Sequence, residues 1–153
     1  MRVYLPASAR DLAAPDGPPV GTSAHAVTPA LRAALPDEDT EGLELAALLA
    51  AADASIALVA ERGDVPRRVV VAADVPDAEV SGEAPQDALP SAVVVHALPW
   101  NDVVSIHVDD ADAREDVAAA AAGDDDAFER AAERDLLWFD VVERGDLAAE
   151  LSG

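Results

Sequence analysis

The chain has 153 residues, a net charge of −21 and no cysteine. A length near 150 suits one domain with its own core, and 51% hydrophobic residues with a mean hydropathy of +0.11 set the chain apart from disordered sequences. The charge disfavours nucleic-acid phosphates and anionic lipid headgroups, while the missing cysteine excludes a thiol nucleophile, a cysteine-held zinc and a disulfide framework.

Residues 2–6 read as a strand stopped by Pro6. Ser8 caps a short helix over 9–14, and the Pro-Asp-Gly-Pro-Pro run at 15–19 is a loop. Residues 23–27 suit a second strand. Thr28-Pro29 then opens a helix to about Leu35, with threonine as cap and proline at the first helical position. The acidic run 37–39 leads into the longest helix, where Leu45, Leu49, Ala52, Ile56 and Val59 form one apolar stripe and Gly63 is the left-handed cap.

Residues 67–75, with Val69-Val70-Val71, read as a buried strand. The proline-, glycine- and acid-rich stretch 76–90 reads as a flexible loop or loose edge segment. Strands are expected at 92–97 and 105–109, with a helical turn at 100–103 between them. Asp112 with Glu115 makes a capping box for a helix to Ala122, closed by Gly123. Asp124 caps a helix to about Arg134, residues 136–142 form the last strand, and a helical tail starts at Asp146.

These elements predict an α/β or α+β single domain over 1–153. Its mixed sheet has about five to six strands, with helices mainly on one face. The order of elements also rhymes between halves, placing His25 and His107 in matching strands, so an internal pseudo-two-fold duplication is a further expectation.

Strong catalytic motifs are absent. All ten basic residues are arginine, so there is no phosphate-binding, Schiff-base or dyad lysine. No nucleophile elbow, dinucleotide-binding glycine loop, HExxH pair or calcium loop occurs. The remaining chemical candidate is His107 with Asp109 and Asp110. On a strand His107 and Asp109 share a face, and His96 would complete a three-ligand divalent-metal site if it converged on them. The competing reading is that Asp109 and Asp110 end a strand and begin a helix, where carboxylates are favoured. His25 and His96 read as single histidines on apolar strands. Arg67-Arg68 and Arg2 read as partners for neighbouring acids. Trp100, Trp138 and Phe139 are candidates for an exposed interaction patch.

Five segments carry a resemblance. They are Met-Arg-Val-Tyr-Leu-Pro-Ala at 1–7, Ala-Val-Thr-Pro-Ala-Leu at 26–31, Arg-Arg-Val-Val-Val-Ala-Ala-Asp-Val-Pro at 67–76, Ile-His-Val-Asp-Asp at 106–110 and Leu-Leu-Trp-Phe-Asp at 136–140. Together they resemble a family of small uncharacterised actinobacterial proteins, a domain of unknown function. The resemblance implies a cytoplasmic actinobacterial protein and transfers no catalytic residue. The start of the chain lacks a signal-peptide pattern and no apolar run is read as approaching the ~20 residues of a membrane span, so a cytoplasmic location is expected.

Two functions follow. The first is a non-enzymatic binding or regulatory module acting through a protein partner or a homo-oligomer, with no cofactor and no contact with nucleic acid or membrane. The second is a small metal-dependent enzyme or metal-binding protein using His107 and Asp109.

Overall fold

A computed structural model of the chain describes residues 1–20, 23–81 and 88–152. Among these residues a single sheet of seven strands forms the middle of one α+β domain. In chain order the elements are β1 (Arg2–Ala7), β2 (Ala24–Ala26), α1 (Pro29–Ala34), α2 (Thr40–Arg62), β3 (Val69–Asp74), β4 (Val80–Ser81) and β5 (Ala92–Val95). There follow β6 (Val103–Asp109), α3 (Arg114–Ala121), α4 (Asp125–Ala132), β7 (Leu136–Asp140) and α5 (Arg144–Ser152).

The strand order is β4-β5-β2-β1-β3-β6-β7, and every pairing is antiparallel. The sheet is therefore one or two strands larger than expected, and antiparallel throughout. Part of the expected 76–90 loop is a single turn and the edge strand β4; residues 82–87 lie outside the described residues.

Alternation builds the two faces. Val3 and Leu5 of β1 and Val69 and Val71 of β3 point to one side, where Leu12 of the 3-10 turn Ala9–Ala13 and Leu147 and Leu151 of α5 cover them. Tyr4, Val70 and Ala72 point to the other side, under α1 and α2. Helices α3 and α4 pack in turn on α2, with Val117, Ala127 and Ala131 around Ile56. Four of the five helices thus lie on the α2 side. Burying each Val or Leu side chain contributes roughly 1.5–3 kcal/mol, and β3, buried on both faces, is the centre of this core.

Local signals set the helix ends. Thr28 accepts from the Leu31 N–H at 3.0 Å, and Asp39 accepts from the Gly42 N–H at 2.8 Å. Gly63, at φ 61°, closes α2 in the left-handed region.

Four expectations are corrected. First, β1 runs through Pro6 to Ala7: pairing with β2 covers only Val3 and Tyr4, so Pro6 has a ladder partner on the β3 side alone. Second, Ala52, Ile56 and Val59 of the expected α2 stripe are buried, but Leu45 and Leu49 are exposed and Leu43, Ala47, Ala51, Ser55 and Leu58 complete the buried side. Third, α2 is long and apolar enough, by length and composition, to cross a membrane, at a mean hydropathy of 1.9; here it packs against β1, β2 and β3.

Fourth, the expected duplication is not in the strand order. It would carry β1, β2 and β3 onto β5, β6 and β7. In the sheet β1 sits between β2 and β3, whereas β5 sits between β4 and β2, away from β6 and β7. What recurs is smaller. Asp110 and Asp140 each accept a hydrogen bond from the backbone N–H two residues on, at 3.1 and 3.0 Å. A 3-10 turn follows each, and a helix then starts at Arg114 or Arg144.

Candidate functional site

Strands β6 and β7 form one end of the sheet, beyond the strands β1, β2 and β3 on which α2 mainly packs. Their register sets Asp109 opposite Leu136, His107 opposite Trp138 and Ser105 opposite Asp140, all on the α2 side. His107 and Asp109 therefore share a face, as their spacing implies.

Their roles differ. Asp109 is fully buried and gripped by Arg68: Nε donates to Oδ2 at 2.9 Å, Nη2 to Oδ1 at 2.8 Å, and the Arg68 backbone N–H to Oδ2 at 2.8 Å. Arg67 donates twice to the Asp109 carbonyl, at 2.9 and 2.7 Å. Arg68 Nη2 also reaches the Arg134 carbonyl at 3.2 Å, which fastens the chain just before β7. This fork holds β3, β6 and the approach to β7 together.

The four metal candidates do not converge. Asp109 is occupied by Arg68, and Asp110 caps the turn before α3. His96 is exposed just after β5. Three strands separate β5 from β6, and four steps of about 4.8 Å make roughly 19 Å. The His107 ring Nε2 lies 3.0 Å from Ser105 Oγ, and burial, with Arg2 nearby, lowers its pKa. Among the described residues no group of three His, Asp or Glu side chains is placed to hold a metal ion.

The aromatic candidates also separate. Trp100 donates its indole N–H to the Ala14 carbonyl at 2.7 Å and carries the Arg144 guanidinium 4.4 Å above its ring. Phe139 and Trp100 both pack against the core on the α5 side. Trp138 points the other way and is 60% exposed. On its side of the sheet are Leu45 at 52% and Leu49 at 39% exposed, while Leu137, 42% exposed, points to the opposite side with Phe139. The surface patch thus keeps Trp138, loses Trp100 and Phe139, and gains Leu45 and Leu49.

Beside Leu136, two residues from Trp138 on the same face, is a cavity of about 310 Å³ lined by Leu45, Leu48, Leu49, Ala132 and Leu136, with Arg134 and Asp135 also at its wall. The signal for it was in the sequence as two leucines four apart on α2, beside alanines at the same spacing that take the buried side.

Strand β7 ends the sheet, so one side of its backbone has no ladder partner among the described residues. Residues 136–139, Leu-Leu-Trp-Phe, carry no charge in a chain of −21. Exposed edges in native sheets are usually blunted by charge, proline or a bulge. The arrangement can accept an added strand by main-chain hydrogen bonds and seat apolar side chains on Trp138 and the cavity on one face and on Leu137 on the other.

A family described as "Family of unknown function (DUF6912)" matches residues 1–148. No curated protein and no solved structure matches the chain.

Proposed function

The chain belongs to that family of unknown function, and from its geometry we propose that it is a non-enzymatic protein-binding module whose docking surface is the β7 edge. The observation that carries the proposal is the uncharged open strand 136–139 with Trp138 exposed beside an apolar cavity. A large exposed aromatic next to a hollow is how interface hot spots are built. On the strength of its charge, the proposal keeps the module away from nucleic acids and anionic membranes, and it follows the family resemblance in taking the module as cytoplasmic. No observation favours the metal-dependent alternative, since its four residues lie apart or are already engaged.

The test is a photo-reactive side chain at Leu137 in the intact chain, irradiated in cells that produce it. A control probe sits at Glu150, exposed on α5. Discrete protein adducts from position 137, absent from position 150, are expected. No discrete adduct from 137 overturns the proposal.

A further inference from the structure

We infer that the occupant of the β7 edge is a second copy of this chain, paired antiparallel about a two-fold axis through Leu137. The inference rests on the reading of β7 as a docking edge and names its partner.

Self-complementarity carries it. A knob and a hole lie two residues apart on one face: Trp138 projects, and Leu136 borders the cavity of about 310 Å³. With Leu137 opposite itself, Leu136 of each copy faces Trp138 of the other. Each indole then enters the cavity formed by Leu45, Leu48 and Leu49 of the opposite copy. A two-fold contact has to match its own surface in this way.

Charge selects the same register. Around the strand lie Arg134, Asp135 and Asp140, with Arg134 40% exposed. Pairing about Leu137 sets Arg134, whose Nε also holds Asp116 at 3.2 Å, opposite the second copy's Asp140, twice, and faces no carboxylate with another. A two-fold between Leu137 and Trp138 is excluded by geometry, because it would oppose residues that face different sides of the sheet. A two-fold at Trp138 would lay Asp140 against Leu136 and strand the indole away from the hollow. The Leu137 register alone satisfies both the knob and the ions.

Two chains of −21 repel over the rest of their surfaces. The dimer therefore strengthens as salt rises from low to physiological concentration.

The experiment uses the absence of cysteine. In Leu137→Cys, the two thiols of a pair meet across the axis, and oxidised glutathione joins them as a disulfide dimer. Leu136→Cys and Trp138→Cys each face the other residue type, so they cross-link far more slowly. Sedimentation of the unmodified chain at physiological salt shows a dimer, and Trp138→Ser weakens it at least about tenfold. The thermal melt of Trp138→Ser below the dimerisation range matches the unmodified chain, which separates lost pairing from lost folding. A monomer at all concentrations and salts, or equal cross-linking at 136, 137 and 138, overturns the inference. If the photo-reactive probe at 137 still captures a different protein, the docking edge stands and only the self-pairing falls; capture of nothing removes both.

Discussion

At the residue scale the most consequential side chain is Arg68, fully buried with its fork on Asp109. Its third nitrogen, Nη1, is buried without a hydrogen-bond partner. Asp53 of α2 is close enough to feel its charge: burial raises the Asp53 pKa and Arg68 draws it back down. Removing one member of such a pair leaves an uncompensated charge in the core, so Asp109→Ala is expected to cost about 3–5 kcal/mol. For a domain of this size that is a fall of roughly 10 °C in Tm, read by thermal melts. Replacing both partners by apolar residues, Arg68→Met with Asp109→Leu, recovers much of that loss. The histidines give a second prediction. His25 is buried with Nδ1 2.8 Å from Ser91 Oγ, and burial lowers its pKa; His107 is lowered too. Below an unfolded value of about 6.5 the unfolded state then binds more protons than the folded state. Stability is present above that pH and is lost as pH falls through the depressed folded values. Urea melts at pH 7.5 and 5.5 should show the loss, and His25→Gln should lose less.

At the element scale the sequence was most legible where chemistry acts locally. Thr28, Asp124 and Gly63 cap the helices whose ends they were expected to mark, and Asp39, from the acidic run expected to lead into α2, caps that helix. Val69 to Val71 lie in a strand buried on both faces. What was not legible depends on contacts distant in sequence. Asp109 meets an arginine 41 residues away. Nothing near Trp138 or Phe139 marks which side α5 will cover. Of the expected stripe on α2, Ala52, Ile56 and Val59 are buried, while Leu45 and Leu49 are exposed; these two were misplaced because leucine outweighs alanine in any hydrophobicity count. The sheet selects small residues where the helix must come close. Ser55 shows that closeness: its Oγ donates to the Ala7 carbonyl at 2.7 Å and accepts from the Val69 N–H at 3.0 Å. Ala51→Leu is therefore expected to overpack the interface and cost about 1–3 kcal/mol. Leu45→Gln, at an exposed position, should stay within about 0.5 kcal/mol. A leucine stripe facing the sheet would reverse that order in denaturant titrations of the two variants. The same two positions matter for docking, because Leu45 and Leu49 were displaced from the core to the rim of the β7 cavity.

At the scale of the whole molecule the charge is the dominant trait. Most arginines are already committed: Arg2 to Asp74, Arg10 to Asp64, Arg62 to Asp11, Arg68 to Asp109, and Arg130 and Arg134 together to Asp116. Some acids have local work, since Asp39, Asp110, Asp124 and Asp140 cap helices or turns. The rest, including runs at 37–39 and 124–126, leave the net charge of −21 uncompensated. Two like charges a few ångström apart in water repel by about 1 kcal/mol. Unfolding moves such charges apart, so repulsion acts against the folded state. Salt shortens its range to about 10 Å at 0.1 M. Tm is therefore expected to rise between low and physiological sodium chloride and then to level off. Calorimetry must separate this from association, because a dimer strengthened by salt also raises Tm, in a way that depends on protein concentration. Trp138→Ser makes the separation, since it changes no charge. In that variant the rise with salt should persist at every protein concentration. If it vanishes there while the unmodified chain keeps it, salt acts through pairing at β7 and not through repulsion within one chain.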